Sequence, residues 1–345
     1  MVVNIFLGDD FMPKVAVIGA GSWGTALAQV LADNNNDVVV YDIDADSVAD
    51  INDNHRNSKF FEGVVLPDNL KATTDLATAL KGANYALISV PTKVMRAVLT
   101  EMKTRIAAGT VIINASKGIE PGTHLRVSEV VAEVLGADQM FVALSGPSHA
   151  EEVIMREITT VTCAGSDLEI LFEVQQVFST NYFRVYRTND LIGVEIGGSI
   201  KNVMALGSGI LAGLGYGDNA RAFLITRSLI EIKELGVAMG AQAETFDGLS
   251  GLGDLIVTTM SRHSRNFQAG LEIGGGKDLN EVLDSMTMVV EGVRSCEATY
   301  ELAQKLAIDM PFVDAIYDIV FNRNNPRDVL AKMMQRPLIA ENTRR

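Results

Sequence analysis

The sequence predicts an α/β protein: a doubly wound, mostly parallel sheet over residues 13–189, then an all-helical domain over residues 190–345. Three observations carry this. Short apolar runs bounded by turn residues alternate with helical spacing through the first half, the pattern of βαβ units. A glycine-rich turn joins the first run to the first helix. From about Asp190 the β-branched runs give way to long helical segments such as 220–239 and 295–306. Glycine clusters at 213–217, 248–253 and 274–276 punctuate those segments.

The first strand, Lys14-Val-Ala-Val-Ile18, is apolar enough to be buried. Gly19-Ala-Gly-Ser-Trp-Gly24 follows, and then the small-residue helix 25–32. Strand, glycine turn and helix in that order let backbone N–H groups at a helix N-terminus approach a pyrophosphate. A G-x-G-x-x-G string is weak evidence alone and much stronger inside a βαβ unit. Gly19, Gly21 and Gly24 are therefore dinucleotide candidates, and the architecture reads as Rossmann-type. Trp23 either flanks the dinucleotide or packs on the sheet edge. The second strand, 37–41, ends at Asp42, roughly twenty residues past the glycines, where a carboxylate can accept hydrogen bonds from ribose hydroxyls. Residues 44–54 read as a helix, followed by a polar loop with His55, Arg56 and Asn57. Thr73-Thr-Asp75 supplies a helix start. Strands at 85–90 (stopped by Pro91), 110–114, 140–144, 158–163 and 182–186 complete the β material.

A chain of 345 residues suggests two domains, at roughly 150 residues each. The net charge of −14 argues against nucleic-acid or anionic-membrane partners, which reward basic patches, but leaves room for a local cationic pocket. No apolar run reaches the length of a membrane span. The start lacks the positive charge of a signal peptide, and residues 1–12 read as a dispensable extension. Cys163 and Cys296 form neither a metal set nor a disulfide framework, which fits a reducing, cytoplasmic setting. His55, His124, His149 and His263 have no metal spacing and read as surface or packing residues. Gly274-Gly-Gly-Lys277 lacks the preceding strand and following hydroxyl of a phosphate loop.

In an open parallel sheet, ligands bind beyond the carboxyl ends of the strands. Lys117 follows one such strand, so its ammonium should point into the crevice. Gly146-Pro147-Ser148 follows another; proline favours the first helical position and leaves free N–H groups beyond it. In the helical half, Gly197, Gly198, Ala205 and Ser208 share a helix face with Lys201. All four are small, so the lysine is expected to project into open space. Two helical glycines cost roughly 1 kcal/mol each against alanine, and close approach of a ligand or of another helix would explain them. A dry pocket destabilises an ammonium and suits it to proton transfer, which makes Lys201 the general acid/base candidate. Asp254 either caps the helix that follows it or points at Lys201. Ser264, Arg265 and Asn266 combine a hydroxyl, a guanidinium and an amide, a donor set for a phosphate dianion.

On these stretches the chain resembles NAD(P)-dependent glycerol-3-phosphate dehydrogenase of the bacterial type. The likeness runs through Gly19-Ala-Gly-Ser-Trp-Gly-Thr-Ala-Leu-Ala28, Ser116-Lys-Gly-Ile-Glu120, Ser145-Gly-Pro-Ser148 and Lys201-Asn-Val203. It continues through Gly215-Tyr-Gly-Asp-Asn-Ala-Arg221, Gly248-Leu-Ser-Gly-Leu-Gly-Asp254 and Ser264-Arg-Asn266, all in family order. The resemblance implies that Lys201 accepts the proton of the substrate's secondary hydroxyl. It implies contacts to glycerol 3-phosphate from Lys117, Gly146, Ser148, Asp254, Ser264, Arg265 and Asn266. Ser22, Trp23, Lys117, Ala150, Arg265, Val289 and Glu291 would line the dinucleotide. It also implies a homodimer feeding glycerophospholipid synthesis by reducing dihydroxyacetone phosphate. Two departures stand out. Bacterial relatives often carry a basic residue or histidine after the second strand, where this chain has Asp42-Ile43-Asp44; that acidic pair would repel the 2′-phosphate of NADP and favour NAD. His149 stands where an aromatic residue is common. A two-domain hydroxyacid dehydrogenase and a non-catalytic dinucleotide sensor remain as alternatives.

Overall fold

The computed structural model describes residues 12–262, 264–286, 290–338 and 340–341; the expected extension falls almost wholly outside them. In the first half β1 (Lys14–Ile18), α1 (Ser22–Asp33), β2 (Asp37–Tyr41), α2 (Ala45–Asn54), β3 (Lys71–Thr73) and α3 (Leu76–Leu80) follow in order. Next come β4 (Tyr85–Ile88), α4 (Thr92–Met102), β5 (Val111–Asn114), α5 (Val127–Leu135), β6 (Phe141–Ser145) and α6 (Ala150–Ile154). β7 (Thr159–Ala164), α7 (Leu168–Phe178) and β8 (Phe183–Thr188) complete the sheet, whose order is β3-β2-β1-β4-β5-β6-β7-β8. β7 runs antiparallel to β6, and every other pair is parallel.

Strand periodicity builds two cores. Val15 and Val17 of β1 enter one apolar cluster with Leu27 and Leu31 of α1 and Val174 and Phe178 of α7. Ala16 and Ile18 enter the other, with Leu80, Leu99 of α4 and Val130 of α5. Each fully buried side chain of this kind contributes roughly 1.5–3 kcal/mol, so burial on both faces fixes the strand register. Asp75 caps α3, accepting from the N–H groups of Ala77 and Thr78, while Thr73 closes the short strand β3.

The remaining helices are α8 (Leu191–Gly213), α9 (Asp218–Ala238), α10 (Asp254–Met260), α11 (Arg265–Gly274), α12 (Leu279–Ser285), α13 (Glu291–Leu306), α14 (Pro311–Val320) and α15 (Pro326–Met334). A 3₁₀ turn (Ala243–Asp247) and a π turn (Leu249–Gly253) precede α10. Two compact units result: one holds the chain through Ser199 plus Gly236–Val257, the other Ile200–Leu235 plus the chain from Thr258. The second unit is helical among its described residues. Within it Gly209 and Gly213 of α8 meet Gly270 and Gly274 of α11. A Cβ on Gly270 would come 2.0 Å from the Leu206 carbonyl oxygen, so the helices cross backbone to backbone. Near the other end Glu231 of α9 accepts the Phe312 N–H and serves as the cap of α14.

Candidate active site

The dinucleotide turn is built by exclusion. Gly19 takes φ +108°, and a Cβ there would lie 2.6 Å from the Ser89 carbonyl oxygen. A Cβ on Gly24 would come 1.9 Å from the Gly19 oxygen, so α1 can start this close to β1 only with glycine at both positions. Gly21 is the converse: a Cβ would meet nothing within 4 Å, and no side chain caps the α1 N-terminus there. The open approach and unclaimed N–H groups fit a pyrophosphate. Asp42 is wired into the turn. Its Oδ2 accepts the Ala20 N–H at 2.6 Å and its Oδ1 the Asp44 N–H at 2.9 Å, and each oxygen keeps a lone pair for a ribose hydroxyl. Asp44 caps α2 and pairs with Lys59 at 2.7 Å; that hydrogen bond holds its carboxyl down at about 2.

Sequence inspection missed Asn57. It is 1% exposed, and its Nδ2 donates to the Ala20 carbonyl and the Thr25 hydroxyl, bracing the turn from beneath. Its loop was visible, but only folding brings it to a turn some thirty-seven residues earlier. Trp23 is partly buried against the apolar cluster of α1.

At the carboxyl ends of the central strands, Lys117 donates to Asp254 Oδ2 at 2.7 Å and to the Gly146 carbonyl at 3.2 Å. Asp254 is wholly buried and opens α10 at its first residue. Its carboxylate is a counter-charge for Lys117, a role that neither expectation for it named. Gly146 takes φ +154°, a Cβ there would come 2.8 Å from the Val161 Cα, and Ser148 donates to the Gly146 carbonyl at 2.9 Å. Pro147 does not open a helix, as was expected: α6 starts at Ala150 with His149 as cap, because the chain must first turn over β7. His149 Nε2 lies 3.3 Å from the Val257 carbonyl. The helical glycines are explained by close approach: a Cβ on Gly197 would meet the Ser250 oxygen at 2.6 Å, and one on Gly198 the Ser145 hydroxyl at 2.8 Å. Glu195, one turn earlier, accepts from Arg126 and Ser128, and burial raises its carboxyl despite the guanidinium.

In the helical unit Lys201 departs from expectation. It is 7% exposed and donates to the Thr258 hydroxyl at 2.9 Å, so it does not project into open space. Small neighbours admit close packing as readily as a cavity; Ser208, on the same face, donates to the Thr259 carbonyl. Asn266 donates to Asn202 Oδ1 at 3.0 Å and accepts the Gly292 N–H at 2.8 Å, tying the starts of α11 and α13 to α8. Ser264 caps α11 by accepting the Phe267 N–H, and Arg265 is the exposed first residue of that helix. A helix start without acidic residues and with a guanidinium suits an anion. Glu291 opens α13; Val289 and His263 lie outside the described residues. Among the described residues no group of three or more His, Cys, Asp or Glu could hold a metal, and no helix is long and apolar enough to cross a membrane.

Two family models match: the N-terminal part of NAD-dependent glycerol-3-phosphate dehydrogenase over residues 14–171 and its C-terminal part over 190–331. A Bacillus anthracis protein named glycerol-3-phosphate dehydrogenase (NAD(P)+) is 52% identical over 327 residues, covering 94% of this chain and 96% of the relative. The crystal structure of a glycerol-3-phosphate dehydrogenase from Coxiella burnetii superposes with a TM-score of 0.90 at 37% identity, covering 94% of this chain and 99% of that one. The Saccharomyces cerevisiae enzyme gives 0.82 at 28% identity, with 94% and 100% covered. With both halves matched in order and these motifs in place, the chain belongs to the NAD-dependent glycerol-3-phosphate dehydrogenase family.

Proposed function

We propose that this protein is an sn-glycerol-3-phosphate dehydrogenase that reduces dihydroxyacetone phosphate for glycerophospholipid synthesis, with NAD preferred over NADP. The observation that carries the reading is Lys201, a buried lysine whose Nζ donates to the Thr258 hydroxyl at 2.9 Å. The nicotinamide cofactor supplies the hydride when bound; Gly19, Gly21, Ser22, Trp23 and Gly24 would hold it by the turn. Lys117, Ala150, Arg265, Val289 and Glu291 are its further proposed contacts. Lys201 Nζ delivers the proton to the C2 oxygen in reduction and takes it back in oxidation. Arg265 and Asn266 take the phosphate, with Ser264 fixing the start of their helix. Lys117, kept in place by Asp254 and the Gly146 carbonyl, and Ser148 position the rest of the substrate.

NAD preference follows from charge. Asp42 and Asp44 stand at the end of β2, and a 2′-phosphate brought there would meet the Asp42 carboxylate. A homodimer in a reducing cytoplasm is the proposed setting, consistent with two buried free thiols. The test is Lys201→Met. It is expected to lower kcat with dihydroxyacetone phosphate by about 100-fold or more, the usual worth of a general acid, while NADH binding stays near wild type. Unchanged turnover would remove Lys201 from the chemistry.

A further inference from the structure

The two carboxylates at the end of β2 differ in what holds them. Among the described residues Asp42 has no ion pair, whereas Asp44 Oδ2 accepts from the Lys59 ammonium at 2.7 Å. The Asp44 carboxylate also accepts the Asp46 N–H at 3.2 Å and the Ser47 hydroxyl at 2.9 Å. Asp44 is therefore already neutralised, and Asp42 alone keeps its full charge. The loop that carries Lys59 is tied to the glycine turn. Asn57, two residues earlier, donates to the Ala20 carbonyl and the Thr25 hydroxyl, and the Ala20 N–H in turn reaches Asp42. The Ser58 N–H donates to Asp50 Oδ2 at 2.8 Å and fixes the loop to α2. From the other side, Asp42 Oδ1 accepts the Asp44 N–H. Both routes bring the Lys59 ammonium next to the Asp42 carboxylate. The Asp44 hydrogen bond raises the Lys59 ammonium above its ordinary value, and the charges of Asp42 and Asp46 add to the rise. The lysine side chain is still 61% exposed, so its long stem can carry the ammonium from one anion to another without burying it.

We propose that Lys59 is a specificity-determining residue for the dinucleotide: its ammonium moves from Asp44 to the 2′-phosphate of NADP and offsets the repulsion by Asp42. The inference rests on the reading above that the adenosine ribose lies at the end of β2. With NAD, whose 2′ position is a hydroxyl, the ammonium stays on Asp44. With NADP, a phosphate dianion carries more charge than one carboxylate and competes for the ammonium. Asp44 keeps the Asp46 N–H and the Ser47 hydroxyl after the exchange, so its carboxylate is not left bare. The chain thus excludes NADP less sharply than two unscreened carboxylates would.

The experiment compares wild type, Lys59→Met and Lys59→Arg in kcat/KM for NADPH relative to NADH, with dihydroxyacetone phosphate as acceptor. Calorimetry on the same proteins gives Kd for adenosine 2′,5′-bisphosphate relative to 5′-AMP, which needs no turnover. Lys59→Met should lower the NADPH-to-NADH ratio about fivefold, the upper range for one exposed charge pair. It should weaken the bisphosphate relative to AMP by about the same factor. Lys59→Arg keeps the charge and should hold both ratios within about twofold of wild type. The loss in Lys59→Met should shrink as ionic strength rises from about 0.02 to about 0.5 M, since an exposed pair is screened. Unchanged ratios in Lys59→Met would overturn the assignment. So would a loss that Lys59→Arg shares, or one that salt leaves intact. Asp42→Asn separates this failure from that of the parent reading. If it shifts the bisphosphate-to-AMP ratio while Lys59→Met does not, only the role of Lys59 falls; if neither shifts it, the placement of the ribose falls as well.

Discussion

Asp42 holds the glycine turn through the Ala20 N–H, and in the function proposed above the same carboxylate would also stand against a 2′-phosphate. Its position after β2 was legible in the sequence, because a βαβ unit fixes how far the acidic residue stands from the glycines. Its bond to Ala20 was not, since a backbone N–H carries no residue signature. Asparagine keeps the size but offers one acceptor oxygen in place of two and no charge. Asp42→Asn is therefore expected to shrink the NADH-over-NADPH preference in kcat/KM by about tenfold, roughly 1.4 kcal/mol, and to raise KM for NADH as the turn slackens. An unchanged cofactor ratio would show that Asp42 is a strut and not a selector. Lys201 marks the opposite limit of legibility. Its helix face of small residues was visible, but whether such a face lines a cavity or lets a neighbour pack close depends on what lies across it.

Among the elements, long apolar runs announced themselves: β1, β4 and β5 are buried on both faces and needed no context. β3 was invisible, since three residues on a sheet edge carry no periodicity. The reversed direction of β7 was also invisible, because a strand's pattern is the same read in either direction in the sheet; the five-residue α6 is too short for the usual parallel crossover. The cap of α14 was equally hidden, as its partner Glu231 lies on α9. Burial pushes the Glu231 carboxyl up to about 8, with Asp314 and Asp309 adding to the rise against the hydrogen bonds from Phe312 and Val313. In the unfolded chain it titrates near the ordinary carboxylate value. Between those two values the native state keeps a proton that the unfolded chain has lost, so this group costs stability as pH rises from about 4.5 toward 8. Glu231→Gln keeps a neutral acceptor and removes the titration. Its thermal midpoint should exceed wild type at pH 8, with the gain fading toward pH 5. A loss equal at both values would mean that the shape of the carboxyl, and not its charge, holds α14.

At the scale of the molecule, an acidic chain is built to work on an acidic substrate, so cationic groups must be concentrated where the phosphate binds. The net charge of −14 is set against Lys117, Lys201 and Arg265 at the proposed site residues. Such an arrangement uses local potential instead of overall charge, and so composition excluded polyanionic surfaces without excluding a small phosphate. The α/β sheet followed by helices was readable because alternation and its loss are long-range patterns. The exchange of segments between the units was not: Gly236–Val257, beginning in the last turn of α9, belongs to the unit of the sheet, and no composition shift marks it. The most direct test of the central claim is the steady-state oxidation of NADH and NADPH, in parallel, with dihydroxyacetone phosphate as acceptor. The expected result is saturable turnover with NADH at a kcat/KM at least about tenfold above that with NADPH, one repelled charge being worth roughly that factor. No turnover with either cofactor, from protein that binds NADH, would contradict the account.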